Sequence, residues 1–522
     1  MTAQKLDTRV DTEDYDEVGN TFDKTRKTIG LIVGPLIFLM MLLLPLPITD
    51  HQQSLAAVMA LVFILWVTEA LPIPASSLLA IGLCVVLQVP DLAPDAGDSA
   101  DFIYSAFSSS TLFLVIGGFI LARAMTVHGL DRRFALFVLS IPGVAKSTFR
   151  VAIAFGLIAA LISAFISNSA AAAMLLPLGV GIVRAVGPEV ASSAGIKNAT
   201  KTKFATSVML MIAYGASVGG LLTPIGSTAN VVGLGFLQEQ TGTEISFLRW
   251  SSLTAPIAVV LFIVLCIVLL TMNKPEIGRL HNARDYVLEE RGKLGQLNRG
   301  EWNTLACFIL AIIMWVGPSV LSTMEAEPGS LLAGFLALDI GTAAVLAASL
   351  LFFLPTNWPK REFTLSWKQA ANIDWGTVLL VGAGLVLGAL MFNTGLAEVV
   401  GTGMAEGLGL DSRIAVVVLS VILAIVISET TSNTASVGVV VPIVIPIALA
   451  VGLDPTIPAL AAVFGASCGF MLPVSTPPNA IVYGSGMVPI TKMFRTGLVF
   501  DIIAVVVVSA GVLVTSALNP LS

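Results

Sequence analysis

Two short polar motifs interrupt otherwise apolar sequence: Ser167-Asn168-Ser169 and Ser432-Asn433-Thr434. Their hydroxyls and amides each donate and accept hydrogen bonds. Each lies in the middle of an apolar stretch, 150–186 or 413–451, that is too long for one membrane-crossing helix. Two short helices with the motif at the turn fit better. A helix starting at such a turn presents free N–H groups and a partial positive charge, which suits an anion. Freed carbonyls and Ser or Asn oxygens are hard ligands, which suit Na+. One turn thus has the means to hold a cation and a carboxylate side by side. The plainer reading is that Ser167 and Ser432 only cap buried helix ends. Two copies at equivalent positions favour binding over capping alone.

Other residues are read against these. Thr223-Pro224 with Gly226, and Pro473 with Pro477-Pro478, fall inside apolar segments that would otherwise span. Proline removes a backbone donor and breaks the helical ladder. Interruptions at matching places of two halves point to a binding site. Asn230 and Asn479 stand where each second half-helix restarts, positioned to cap it or to reach the site. Glu429 precedes the second motif, and an ionisable group at that depth is costly; structural pairing is favoured over neutralising a cation. Glu69 reads as an interface residue, and Arg123 as a side chain that snorkels to the surface. His51, His128 and His281 fall in loops or at helix ends, which argues against a histidine proton relay. With no basic side chain expected near either motif, an anion must draw positive charge from helix ends and bound cations. That argues for sodium coupling.

The elements that must position these residues follow from composition. Hydrophobic residues make up 56% of the 522 and charged residues 11%, with a mean hydropathy of +0.93. A soluble protein of this size needs a far larger charged surface. Spanning runs are expected at about 28–47, 54–71, 75–90, 109–127, 204–236, 252–272, 303–322, 331–354, 376–393, 457–487 and 497–520. The first 27 residues are polar, lack a signal-peptide pattern, and are expected to form a cytoplasmic tail. Cys84, Cys266, Cys307 and Cys468 are scattered and suggest neither disulfides nor a metal cluster. With a cytoplasmic N-terminus and both hairpins re-entrant, 23 of the 27 basic residues fall in cytoplasmic loops and the tail. The outer loops carry Asp91, Asp95, Asp98, Asp101, Glu325 and Glu327. The positive-inside rule therefore supports this topology, with an external C-terminus.

The chain also repeats itself. Thr111 to Leu130 aligns without gaps to Thr377 to Leu396, pairing Gly129-Leu130 with Gly395-Leu396. The two motifs recur at nearly the same offset, and Pro224-Ile-Gly-Ser-Thr-Ala-Asn230 echoes Pro473-Val-Ser-Thr-Pro-Pro-Asn479. Five crossings separate equivalent points, so the halves have opposite orientation. Inverted repeats with a site at their interface are a transporter arrangement. An enzyme would need a metal cluster or a nucleophile and base at membrane depth, and no His/Asp cluster or Gly-x-Ser-x-Gly sequence is present.

Ile166-Ser-Asn-Ser-Ala170, Thr431-Ser-Asn-Thr-Ala435, Thr68-Glu-Ala-Leu-Pro72 and Ser475-Thr-Pro-Pro-Asn-Ala480 resemble the divalent anion/sodium symporter family. The resemblance covers about residue 28 to the end. It implies an all-α polytopic membrane protein of about 11 transmembrane helices plus two re-entrant hairpins, working as a homodimeric elevator in a bacterial inner membrane. It implies scaffold parts 28–148 and 303–412, transport parts 149–272 and 413–522, and a cytoplasmic linker 273–302. Carried over by position, one sodium ion would meet Ser163, Ser167, Asn168 and Gly226, and another Ser428, Thr431, Asn433 and Ser475. Substrate would touch Asn168, Ser169, Asn433 and Thr434, with Thr476 and Pro477 nearby. Ser169 replaces the family's usual Thr. The implied activity is sodium-coupled symport of C4-dicarboxylates; the alternatives are a sodium-independent exchanger, or a sulfate or citrate transporter of the same fold. The expected partners are a small di- or tricarboxylate, sodium and the lipid bilayer, with no nucleic acid.

Overall fold

A computed structural model describes residues 13–92, 98–196, 198–280, 283–322, 324, 326–410 and 412–518, with side chains from Lys24 onward. Asp95, His281, Glu325 and the first part of the expected tail lie outside the described residues. Among the described residues, ten helices are long and apolar enough to cross a membrane. Among the described residues, the only strands are a two-stranded antiparallel pair, β1 (Pro355–Asn357) and β2 (Glu362–Phe363).

The first half opens with α1 (Glu13–Leu43), α2 (Asp50–Thr68), α3 (Ile73–Val86) and a short α4 (Ser99–Ser105). The first helix therefore starts well inside the polar segment expected as a tail. Its first turns are acidic in sequence and Lys24, Arg26 and Lys27 follow, an order that favours helix continuation. Then come α5 (Ser110–His128), α6 (Leu130–Leu139), α7 (Thr148–Ser163), α8 (Asn168–Ser193), α9 (Lys203–Gly219), α10 (Thr228–Thr241) and α11 (Phe247–Met272). A polar connection holds α12 (Ala283–Gly292). It is tied to α6 by the Arg132–Glu290 ion pair at 2.7 Å. Lys293, hydrogen-bonded to Glu290, holds that carboxyl below its ordinary value.

The second half contains α13 (Arg299–Val320), α14 (Leu331–Leu336), α15 (Ile340–Leu350), α16 (Trp367–Ala370) and α17 (Trp375–Asn393). It continues with α18 (Leu396–Leu408), α19 (Arg413–Thr430), α20 (Asn433–Ala450), α21 (Thr456–Ala466), α22 (Pro477–Tyr483) and α23 (Ile490–Leu518). The run expected as one span at 331–354 is two helices. Asp339 caps the second of them, accepting from the Gly341 and Thr342 N–H groups at 2.9 Å each, and also bonds Ser110 of α5.

The repeat is structural as well as sequential. α5 to α11 recur as α17 to α23. Gly129 and Gly395, the identical pair found by alignment, both hold left-handed backbone with φ of 71° and 73°. That conformation is strained for residues with a side chain. It caps α5 and turns the chain into the short α6, and the same geometry joins α17 to α18 across Thr394 and Gly395. α7 packs on α9 as α19 packs on α21, and α11 meets α23 where the halves join. Small residues make the α7–α9 contact close: a Cβ on Gly215 would stand 2.5 Å from the Gly156 carbonyl oxygen. Buried apolar side chains form one large cluster, dominated by residues of 151–287 and 417–512. A smaller cluster joins α2, α3 and α17, and another joins α5, α13 and α15.

Candidate functional site

Both hairpins turn at their Ser-Asn motifs. α7 and α8 are separated by residues 164–167, and α19 and α20 by residues 431 and 432. Ser167 caps α8, accepting from the Ala170 N–H at 3.3 Å, and Ser432 caps α20, accepting from the Ala435 N–H at 3.2 Å. Capping therefore does happen, and it aims the helix start. Asn168 and Asn433 are buried to the same degree, 9% exposed each, while their neighbours Ser169 and Thr434 are half-buried.

Both long apolar segments break where Gly and Pro interrupt them. The first stops at Gly219 and resumes at Thr228; the second stops at Ala466 and resumes at Pro477. The breaks are held open in the same way. Asn230 donates from Nδ2 to the Gly220 and Thr223 carbonyls at 2.8 and 2.9 Å. Asn479 donates from Nδ2 to the Gly469 and Leu472 carbonyls at 3.2 and 3.1 Å. Each Asn thus reaches back to satisfy carbonyls that the interruption freed.

The breaks lie against the hairpin turns. Around Gly226, a Cβ would stand 2.6 Å from the Gly220 carbonyl oxygen, 2.9 Å from that of Ser163 and 3.1 Å from that of Ala164. Ser163 Oγ lies 2.6 Å from the Asn168 side-chain amide. With the amide oriented to donate, its nitrogen also reaches the Gly226 and Ala216 carbonyls at 3.2 Å each. This is an oxygen-rich nook built largely from backbone. In the second half, Ser428 Oγ lies 3.0 Å from Asn433 Oδ1 and 2.6 Å from the Ala466 carbonyl. Ser475 donates to Glu429 at 2.6 Å, and the Met471 N–H donates to the same carboxylate at 2.9 Å. The fully buried Thr431 donates to the Ile427 carbonyl at 2.9 Å. Glu429 therefore clamps the second break as a structural partner. At the equivalent place in the first half stands Ala164, whose carbonyl accepts from Thr223.

Each break also crosses to the other half. α10 packs on α20, and α22 packs on α8. Thr228 and Thr434 touch hydroxyl to hydroxyl at 2.5 Å. The N-terminal ends of α8, α10, α20 and α22 consequently face one cavity of about 810 Å³. Its lining includes Ser167, Asn168 and Ser169 from one turn and Ser432, Asn433 and Thr434 from the other. Ser227, Thr228, Thr476 and Pro477 complete it from the breaks. Ser163, Gly226, Ser428, Thr431 and Ser475 lie behind this lining, in the two oxygen-rich nooks.

One expectation from sequence fails. Arg123 lines this same cavity, as does Asp374, so a basic side chain does stand near the turns. α5 is apolar nearly all round, and its spacing gives no sign of which face looks inward. Asp501 was also missed. It is 3% exposed within α23 and lies beside Glu429. The signal was present as a lone carboxylate in an apolar run.

A protein named sodium-dependent dicarboxylate transporter SdcS from Staphylococcus saprophyticus is 32% identical over 487 residues, 92% of this chain and 89% of its own length. Its namesake from Staphylococcus aureus strain MRSA252 is 31% identical over 488 residues, 93% of this chain and 90% of its own. Among solved structures, the YdaH transporter of Alcanivorax borkumensis has a TM-score of 0.54 at 14% identity, covering 88% of this chain and 99% of that one. MtrF of Neisseria gonorrhoeae has a TM-score of 0.52 at 14% identity, covering 88% and 96%. These two share the fold. The family described as sodium:sulfate symporter transmembrane region matches residues 25–518, which takes in both hairpins, both breaks and the connection between them, and the chain belongs to it.

Proposed function

We propose that this protein is a sodium-coupled symporter of C4-dicarboxylates such as succinate, malate and fumarate. The carrying observation is the convergence of helix N-termini and oxygen-rich nooks on one cavity. The helix ends favour an anion and the nooks favour a hard cation. The relatives named for dicarboxylate transport support the substrate class. Substrate carboxylate lies against Asn168, Ser169, Asn433 and Thr434, with Thr476 and Pro477 beside it. One sodium ion takes Ser163, Ser167, Asn168 and Gly226, and a second takes Ser428, Thr431, Asn433 and Ser475. Asn168 and Asn433 belong to both sets, so each ion bound raises affinity for the carboxylate, and the reverse.

In this reading the protein sits in a bacterial inner membrane with its N-terminus cytoplasmic and its C-terminus external, as a homodimer. Segments 149–272 and 413–522 move as a transport part against a scaffold of 28–148 and 303–412. The separate apolar clusters of α2, α3, α17 and of α5, α13, α15 support a division of this kind. Thr126, Asn372 and Asp374 are the exposed polar residues of the cavity lining; we place the cavity mouth there, and with this orientation it opens to the cytoplasm. The test is uptake of labelled succinate into proteoliposomes. An inward sodium gradient should drive accumulation, and collapsing it should stop accumulation. Uptake indifferent to sodium, or driven only by internal dicarboxylate, would overturn the proposal.

A further inference from the structure

Arg123 is the one basic residue in the cavity lining. Its Nε is buried without a hydrogen-bond partner among the described residues. The side chain as a whole is half-buried, but a buried donor left unpaired is costly, so its retention needs a reason. Asp374, the one acid in the lining, does not supply it. Asp374 caps α17, with Oδ1 accepting from the Thr377 N–H at 3.2 Å and Oδ2 from the Thr377 hydroxyl at 2.5 Å. The repeat sharpens the point. Thr111 to Leu130 aligns with Thr377 to Leu396, which places Ala389 opposite Arg123. The cation belongs to one half alone and is not required by the fold that both halves share. A guanidinium offers a planar fork of donors that matches a carboxylate better than any other side chain.

We propose that Arg123 is a second anion-recognising point of the cavity, engaging a carboxylate of the substrate between the Ser-Asn turns and the cavity mouth. This rests on the proposed dicarboxylate function and adds a group outside the turns themselves. The turns hold one end of the anion together with sodium. Arg123 takes the charge that faces the mouth, and so favours anions with two negative ends.

The test uses the purified full-length protein in saturating sodium, titrated with succinate, citrate and sulfate and followed by thermal shift. Arg123→Leu should weaken succinate binding about tenfold, which corresponds to about 1.4 kcal/mol. Stabilisation by sodium alone should stay at the wild-type level, and Arg123→Lys should recover most of the affinity. Arg123→Met, which keeps an unbranched apolar stem, gives the same reading should the leucine variant fold poorly. Wild-type affinity in the neutral variants would overturn the role of Arg123 and leave the dicarboxylate reading standing. Failure of the wild-type protein to bind any of the three anions in sodium would overturn both.

Discussion

At the scale of single residues, Asn168 and Asn433 each face two ways. Their amides meet Ser163 and Ser428 behind the turn, while the same residues line the cavity in front. Asn168→Ala and Asn433→Ala should each abolish sodium-driven succinate uptake. Size-exclusion profiles should still show a folded protein; wild-type uptake in either variant would remove these residues from the site. Gly226→Ala tests the nook. The added methyl would press on three carbonyl oxygens within 3.1 Å, closer than a carbon tolerates. The apparent affinity for sodium should fall at least about tenfold in a sodium titration of transport, with a smaller effect at saturating sodium. Asn168, Asn433 and the prolines were legible in the sequence because polar groups and helix breakers are conspicuous in apolar runs. Arg123 was seen but misplaced. Its position depends on how α5 is rotated against its neighbours, and a helix apolar on every side carries no record of that.

Elements show how much the site depends on partners far apart in the chain. The two breaks were legible from Gly and Pro. The break before α15 was not, because Asp339 makes it by capping the helix and by bonding Ser110, some 229 residues away. No local signal announces such a partner. The contact between Thr228 and Thr434 is of the same kind and joins the broken helix of one half to the turn of the other. Its mirror image would pair Ser169 with Pro477, and proline has no hydroxyl to offer. Thr228→Val should therefore lower stability by about 1 kcal/mol, measured as a shift of thermal midpoint in sodium. Ser169→Thr leaves every observed bond in place and should transport near the wild-type rate, with at most a change in preference among dicarboxylates. A complete loss of transport would show that the wall of the cavity is tighter than its lining residues indicate.

For the whole molecule, the telling contact is made by Arg26 of α1. It donates to the Thr430 carbonyl at 2.7 Å, next to the second turn, and pairs with Glu69 at 2.7 Å. Glu69 ends α2 in left-handed backbone with φ of 47°, a shape few residues with side chains adopt. Glu69 stood out in the sequence as a carboxylate at a helix end, but its partner Arg26 did not. α19 has 18 residues and is about 27 Å long, close to the thickness of a hydrocarbon core. In the proposed orientation, a hairpin entering from outside thus brings its turn level with the cytoplasmic ends of α1 and α2. Arg26 holds it there. Arg26→Ala should shift the population toward states in which the turn has withdrawn. Labelling of a Pro477→Cys cysteine by an impermeant maleimide from the cytoplasmic side should then slow; unchanged labelling would show that the tether has no say in the equilibrium. The crossing of the two halves has one more consequence, and it concerns the order of synthesis. Asn433 follows Asn168 by 265 residues, which a ribosome covers in roughly 13–53 s. Throughout that interval the first polar turn waits in the membrane without the α19–α22 segment that covers it, so the newborn half must be sheltered by lipid headgroups, water or an insertion factor until its inverted twin arrives.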